Sequence, residues 1–154
     1  MSVEITRSGT RGAGVLHGPL RPVAARLALL GFRLGFGRRM NDLPVLLLTT
    51  RGARSNRMRT APLLCFPEGE SSWLVVASAA GAARHPAWFL NAARHPESVW
   101  LDVDGRSVHV TPESLGGAAR QHAWRHIVAR SPKFARFERR TDREIPVVRL
   151  TASG

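Results

Sequence analysis

"LTTRGARSNRMRTAPLL", residues 48–64, places Arg51, Arg54, Arg57 and Arg59 in a short polar turn between two apolar runs. The run leading into it, "LPVLLLTT" (43–50), is continuously apolar and bounded by Pro and Gly, as a buried strand is. The run leaving it, "MRTAPLLCF" (58–66), reads as a second strand. The chain therefore carries a strand–turn–strand whose turn concentrates positive charge. A phosphate site needs inward-turned backbone N–H groups, a hydroxyl donor and cations on a loop held by rigid elements. Gly52 permits the tight turn, Ser55 supplies a hydroxyl beside Arg54, and Arg57 and Arg59 share a face if both lie in the strand. A solvated basic hairpin tip has the same composition, so local chemistry leaves both readings open.

Working outward, "PEGES" is a turn and "SWLVVASA" (72–79) a third strand. "HPAWFLNAARH" (85–95) reads as a helix opened by a proline near its first turn. "SVWLDVDGRSVHVTP" (98–112) holds two alternating runs around Asp104-Gly105, a hairpin signal. "GAARQHAWRHIVA" (117–129) is helical, "PKFARFERR" a shorter helix, and "IPVVRL" (145–150) a last strand. About six mostly antiparallel strands with interspersed helices predict a mainly β, α+β fold: a small barrel with helices packed around it.

The sequence divides at its N-terminal end. Residues 1–18 are rich in Gly, Ser, Thr and Arg without periodicity and are expected to be a flexible lead-in. Residues 19–40 are expected to form a basic amphipathic helix, and 41–154 the barrel domain. In the helix, Leu20, Val23, Leu27, Leu30 and Leu34 fall on one face. Ala25, Leu29, Phe32 and Phe36 form a second stripe flanked by Arg21, Arg26 and Arg33. The first stripe is expected to pack on the domain. The second, basic-edged and holding two Phe, suits a helix lying at a membrane interface, with burial or a dimer partner as the alternative.

Net charge is +12, and residues 1–64 hold eleven arginines against only Glu4 and Asp42. Such local basicity points to phosphates, an anionic membrane surface or nucleic acid. All but Lys133 of the basic residues are Arg, whose planar fork grips phosphate bidentately. No nucleic-acid motif accompanies the charge, so nucleic acid is the weakest of the three. Cys65 is the single cysteine, which excludes a disulfide within the chain. With no signal-peptide pattern, and an apolar stretch at 23–36 too short and too charged to span a bilayer, a cytoplasmic protein is expected, with peripheral attachment to the inner face of the membrane open. His122 and His126 stand at i, i+4 but lack a third ligand, so no metal site is expected. No Walker loop, nucleophile elbow or paired carboxylates appear. Any chemistry then belongs to a bound cofactor.

Four segments, in order, resemble the deazaflavin-dependent nitroreductase family of split β-barrel oxidoreductases, which use coenzyme F420. They are "LLLTTRGARSNRMRTAPLL" (46–64), "VVASAAGAARHPAWFLN" (75–91), "RSPKFARFERRT" (130–141) and "DREIPVVRL" (142–150). The resemblance implies a split β-barrel and residue roles. Arg54, Ser55, Arg57 and Arg59 would grip the phosphate and acidic tail of the cofactor. Ala77, Ser78, Ala79, Gly81 and Ala82 would line its ring, with Pro62 beneath and His85, Trp88 and Asn91 completing the site. Cys65, Phe134 and Phe137 would face the substrate.

The sequence also departs from the family pattern. Ala53 stands where a basic residue is usual, and Asn56 where Gly is usual; Asn tolerates the left-handed backbone such a turn needs. There is no tyrosine, so the hydroxyls that commonly overlie substrate in the family are replaced by Cys65, Phe134 and Phe137. The expected function is an F420H2-dependent oxidoreductase passing a hydride from reduced deazaflavin to a flat acceptor such as a quinone, enone or nitro compound. An FMN-binding split-barrel reductase and a non-catalytic cofactor-, lipid- or nucleic-acid-binding protein are the alternatives. The small-molecule acceptor is the main partner, and the protein is expected as a monomer or homodimer.

Overall fold

The computed structural model describes residues 2–14, 26, 27, 29–32, 34, 35, 39, 40 and 42–154. The opening stretch forms the hairpin its sequence predicts. β2 (Leu43–Arg51) and β3 (Met58–Leu64) pair antiparallel from Val45↔Leu64 to Arg51↔Met58. β2 also pairs with β6 (Val99–Val103), which gives its continuous apolar run neighbours along both edges. With β1 (Arg39–Met40), β4 (Phe66–Glu68), β5 (Ser72–Val76), β7 (Arg106–Ser114) and β8 (Val147–Ala152), the described strands form an eight-stranded antiparallel sheet. Its order is β1-β2-β6-β7-β8-β5-β4, with β3 also on β2.

The run 58–66, expected as one strand, is two. Cys65 N–H still bonds β2, at Pro44 O (2.9 Å), and the next residue, Phe66, pairs instead with Leu74 of β5. One residue thus carries the chain from one end of the curled sheet to the other, closing the split barrel. The β6–β7 turn is the expected two-residue hairpin, with Asp104 at φ 51° and Gly105 at φ 78°, the positive values that such a turn requires.

Two apolar clusters sandwich the central strands. Leu48, Val75, Leu101, Val110, Val148 and Leu150 face the barrel interior, plugged by Trp88, Phe89 and Ala92 of α1 (Ala87–Arg94). Leu74, Val76 and Val147 point the other way, against Ala123 and Ile127 of α2 (Gly117–Arg130) and Phe134 of α3 (Lys133–Arg140). Buried on both faces, β5 reads as a hydrophobic run from Trp73 to Val76, while β8 is interrupted by Arg149, which pairs with Glu68 at 2.7 Å.

The N-terminal expectations need revision. Residues 2–14 are docked, not a loose lead-in: Val3 is buried, Gly9 and Ala13 donate N–H bonds to Ala83 O and Gly81 O (2.8 and 2.9 Å), and Ala13 bridges Ala82. Gly12 is required there, since a Cβ would lie 2.3 Å from Ala83 N. Of the helix expected over 19–40, residues 26, 27 and 29–32 are helical, while Leu20, Val23, Ala25 and Phe36 lie outside the described residues. Among the described residues the two stripes are reversed. Leu27, Leu30 and Leu34 are 54–69% exposed, whereas Leu29 and Phe32 are half-buried, with Phe32 facing β2.

Phe89 is fully buried where α1 enters the barrel. Phe89→Ala should cost about 3–5 kcal/mol of unfolding free energy, because the rigid strands around it cannot collapse into the void. Urea unfolding at constant m-value checks this.

Candidate functional site

The arginine turn is built by its own backbone. Gly52 N–H donates to Arg57 O (2.8 Å), Asn56 N–H to Gly52 O (3.0 Å), and Arg57 N–H to Ser55 Oγ (3.3 Å). Asn56 takes φ 56°, the left-handed conformation its sequence position calls for. The turn is then tied to α1 by one amide: Asn91 Oδ1 accepts from Ala53 N–H (2.9 Å) and Asn91 Nδ2 donates to Thr50 Oγ1 (3.2 Å). Asn91 is buried, so the bridge is shielded from competing water.

Between turn and helix lies a cavity of about 620 Å³. Of the sequence-predicted residues, Arg54, Ser55, Arg59, Ala79, Trp88 and Asn91 line it. Thr50, Gly52, Ala53, Thr60, Ala61, Pro86, Ala87 and Leu90 complete the wall. The rim is cationic, the bed is apolar, and the first turn of α1 adds the positive end of a helix dipole. A flat ring carrying a phosphate arm fits this donor set. A second cavity of about 470 Å³, between Phe32 and β2, is bordered by Asp102 and Asp104 with Arg39 as its one cation among the described residues, and so lacks the cationic rim of the first.

The other expected residues fall elsewhere. Arg57 is exposed and precedes β3, so strand alternation does not align it with Arg59. Pro62 is exposed on β3 and outside the cavity wall. Cys65 is completely buried, and burial pushes its thiol up to about 12, leaving an inert core group that donates weakly to Leu63 O (3.4 Å). Phe134 is buried edge-to-face against Phe66 and Phe137 at 6.0 and 5.8 Å, and Phe137 is half-buried. Neither phenylalanine lines the cavity, because α3 packs behind the 79–81 turn: a Cβ on Gly81 would stand 2.6 Å from Phe137 O.

That turn is strained. Ala79, Ala80 and Gly81 have φ 45°, 54° and 80°, and left-handed backbone at a non-glycine residue costs on the order of 1–2 kcal/mol each. Only Ala79 reaches the cavity, while Ala77, Ser78, Gly81 and Ala82 are buried behind it. Beneath them sits Arg143, to which no role was given from sequence. Its Nη1 donates to Ala77 O (3.1 Å), Nη2 to Ser78 O (2.7 Å) and Nε to Ala82 O (2.8 Å). The only signal for it was a lone Arg between two carboxylates in "DREIP". Those carboxylates turn away: Asp142 accepts from Thr10 and Arg11, and Glu144 pairs with Arg120 at 3.4 Å.

His85 is likewise buried behind the turn instead of lining the cavity. Its Nε2 lies 2.8 Å from Thr6 O, an acceptor only, so Nε2 carries the hydrogen and Nδ1 accepts from Arg143 Nη1 at 3.3 Å. Burial pushes its pKa below 6.5, and the Arg143 charge pushes the same way against the Thr6 hydrogen bond. Unfolded His takes up a proton near pH 6.5, whereas folded His85 resists it. Stability from this group is therefore complete above about pH 6.5 and declines as pH falls toward the folded value. His85→Gln should flatten the fall in melting temperature as pH drops below about 6.5. Parallel thermal melts of both proteins measure it.

Comparison with known proteins shows the family. The family model for F420H(2)-dependent quinone reductases matches residues 28–152. An F420H(2)-dependent quinone reductase of Mycobacterium tuberculosis (strain H37Rv) is 32% identical over 111 residues, covering 70% of this chain and 73% of that protein. A solved F420-H2 dependent reductase superposes with TM-score 0.61 at 33% identity, covering 70% of this chain and 93% of that one. A structure described as a domain-swapped dimer gives TM-score 0.62 at 28% identity, covering 84% and 98%. The chain belongs to the F420H(2)-dependent quinone reductase family, and is an F420H2-dependent oxidoreductase acting on quinones.

Proposed function

We propose that the cavity under the arginine turn is the deazaflavin site and that a quinone, or a comparably flat enone or nitro compound, is reduced there. The observation that carries this reading is convergence: Arg54, Ser55 and Arg59 from a hairpin and the first turn of α1 border one cavity. When bound, reduced coenzyme F420 supplies the hydride. The protein's own part is placement. Arg54 and Arg59 pair with the phosphate and acidic tail, Ser55 donates its hydroxyl, and exposed Arg57 reaches the tail from outside the wall. Ala79, Trp88 and Leu90 give the ring an apolar bed. Holding two flat reactants face to face removes much of the entropic barrier to transfer. The chain has no tyrosine, no carboxylic acid, histidine, lysine or cysteine among the described residues lines the cavity, and its aliphatic hydroxyls (Thr50, Ser55, Thr60) are too weakly acidic to give up a proton. The proton that completes acceptor reduction therefore comes from solvent.

Titration with oxidised F420, followed by ligand fluorescence, tests the site. Replacing Arg54 and Arg59 together by Ala should weaken binding roughly ten- to a hundredfold, given two charge-assisted bonds at an exposed rim. FMN run alongside should bind far more weakly; a preference for FMN would transfer the site to flavin chemistry.

We further propose that the exposed face of Leu27, Leu30 and Leu34, with Arg26 beside it, meets an anionic lipid surface and brings the cavity close to membrane-dissolved quinones. No helix among the described residues is long and apolar enough to cross a membrane. Co-sedimentation with anionic vesicles should drop when all three leucines become Ser. Unchanged sedimentation with loss of a dimer on size exclusion would assign the face to a second copy instead, in keeping with the domain-swapped relative.

A further inference from the structure

Arg143 is 5% exposed, and none of the ion pairs among the described residues includes it. A cation taken out of water without a carboxylate persists only where other groups over-determine it. Here those groups are the carbonyls of Ala77, Ser78 and Ala82 together with His85 Nδ1. The three carbonyls bracket the left-handed turn 79–81, the only part of this loop that reaches the cavity, through Ala79. The fork therefore holds a strained loop in place at both ends. Through His85 it is also joined to Thr6, and so to the N-terminal segment that covers Gly81 and Ala83.

We propose that Arg143 is a positioning residue for the cofactor ring: its guanidinium sets the 79–81 turn and thereby the cavity wall against which the ring lies. The inference rests on the deazaflavin reading of the cavity. It separates two halves of the site, with Arg54 and Arg59 reading phosphate and tail, and Arg143, without touching the cavity, governing the fit of the ring. Lys cannot replace it, because a single ammonium does not span three divergent carbonyls as a planar fork does.

The test compares two probes by fluorescence: intact oxidised F420, and its deazariboflavin core, which lacks the phosphate and the glutamate tail. Arg143→Ala should weaken both by the same factor, tenfold or more. Arg143→Lys should recover only part of the loss, and millimolar guanidinium should restore binding to the Ala variant. The Arg54→Ala, Arg59→Ala double variant should weaken F420 while leaving the core unaffected. Leu150→Ala, which opens the barrel core on β8 away from His85 and the 79–81 turn, is the control for general destabilisation. If it weakens the core probe as much as Arg143→Ala at a matched loss of melting temperature, or if Arg143→Ala binds the core as the unmodified protein does, the proposal is overturned. Should the Ala variant not fold, the Lys variant decides: core binding equal to that of the unmodified protein overturns it, and weaker binding of both probes by the same factor supports it. An unmodified protein that binds neither probe overturns the functional reading, and this inference with it.

Discussion

The antiparallel register between β2 and β3 is the constraint from which the site follows. Once Val45↔Leu64 through Arg51↔Met58 are paired and Leu47 and Leu48 are buried, the intervening residues have no freedom to spread their charges. Arg51, Arg54, Arg57 and Arg59 are held within one turn although like charges repel, and the barrel's hydrophobic burial offsets that repulsion. Asn91 finishes the arrangement by tying Ala53 and Thr50 to α1. The turn is therefore a preorganised cationic edge, and an arriving anion need not order it.

The wall of the cavity formed by Ala79 is organised by the opposite device. There the charge is buried and the backbone is strained, with Arg143 holding carbonyls on both flanks of Ala79–Gly81. The N-terminal segment and α3 close on the same turn from two further directions. One wall thus relies on surface charge held by a hairpin and the other on a buried cation held by carbonyls. Both attach to the same doubly packed strands, so the cavity inherits its shape from the two apolar clusters.

Much of this was legible in the residues. Strand alternation, Asp104-Gly105 and the Pro-opened helix set the order of elements, and four motifs in register pointed to the family that the comparisons show. Asn56 was readable as a left-handed position because few other side chains tolerate one. Cys65 and Phe134 lie in the core and outside the cavity wall for a common reason. Matching by motif position says which residue replaces which, but whether a side chain faces cavity or core depends on where the strand breaks and what α3 packs against.

Sequence by itself determined the local facts: which segments are strands or helices, where the chain reverses, and where positive charge must gather. These follow from periodicity and backbone preference, which act over a few residues. Only the tertiary structure decided which leucine stripe turns outward, that residues 2–14 dock, and that Arg143 lies beneath the 77–82 loop. Each of those depends on groups brought together from far apart in the chain, such as Arg143 with Ser78 and Thr6 with His85. No local pattern encodes such a meeting, because it is the packing of the whole core that selects it.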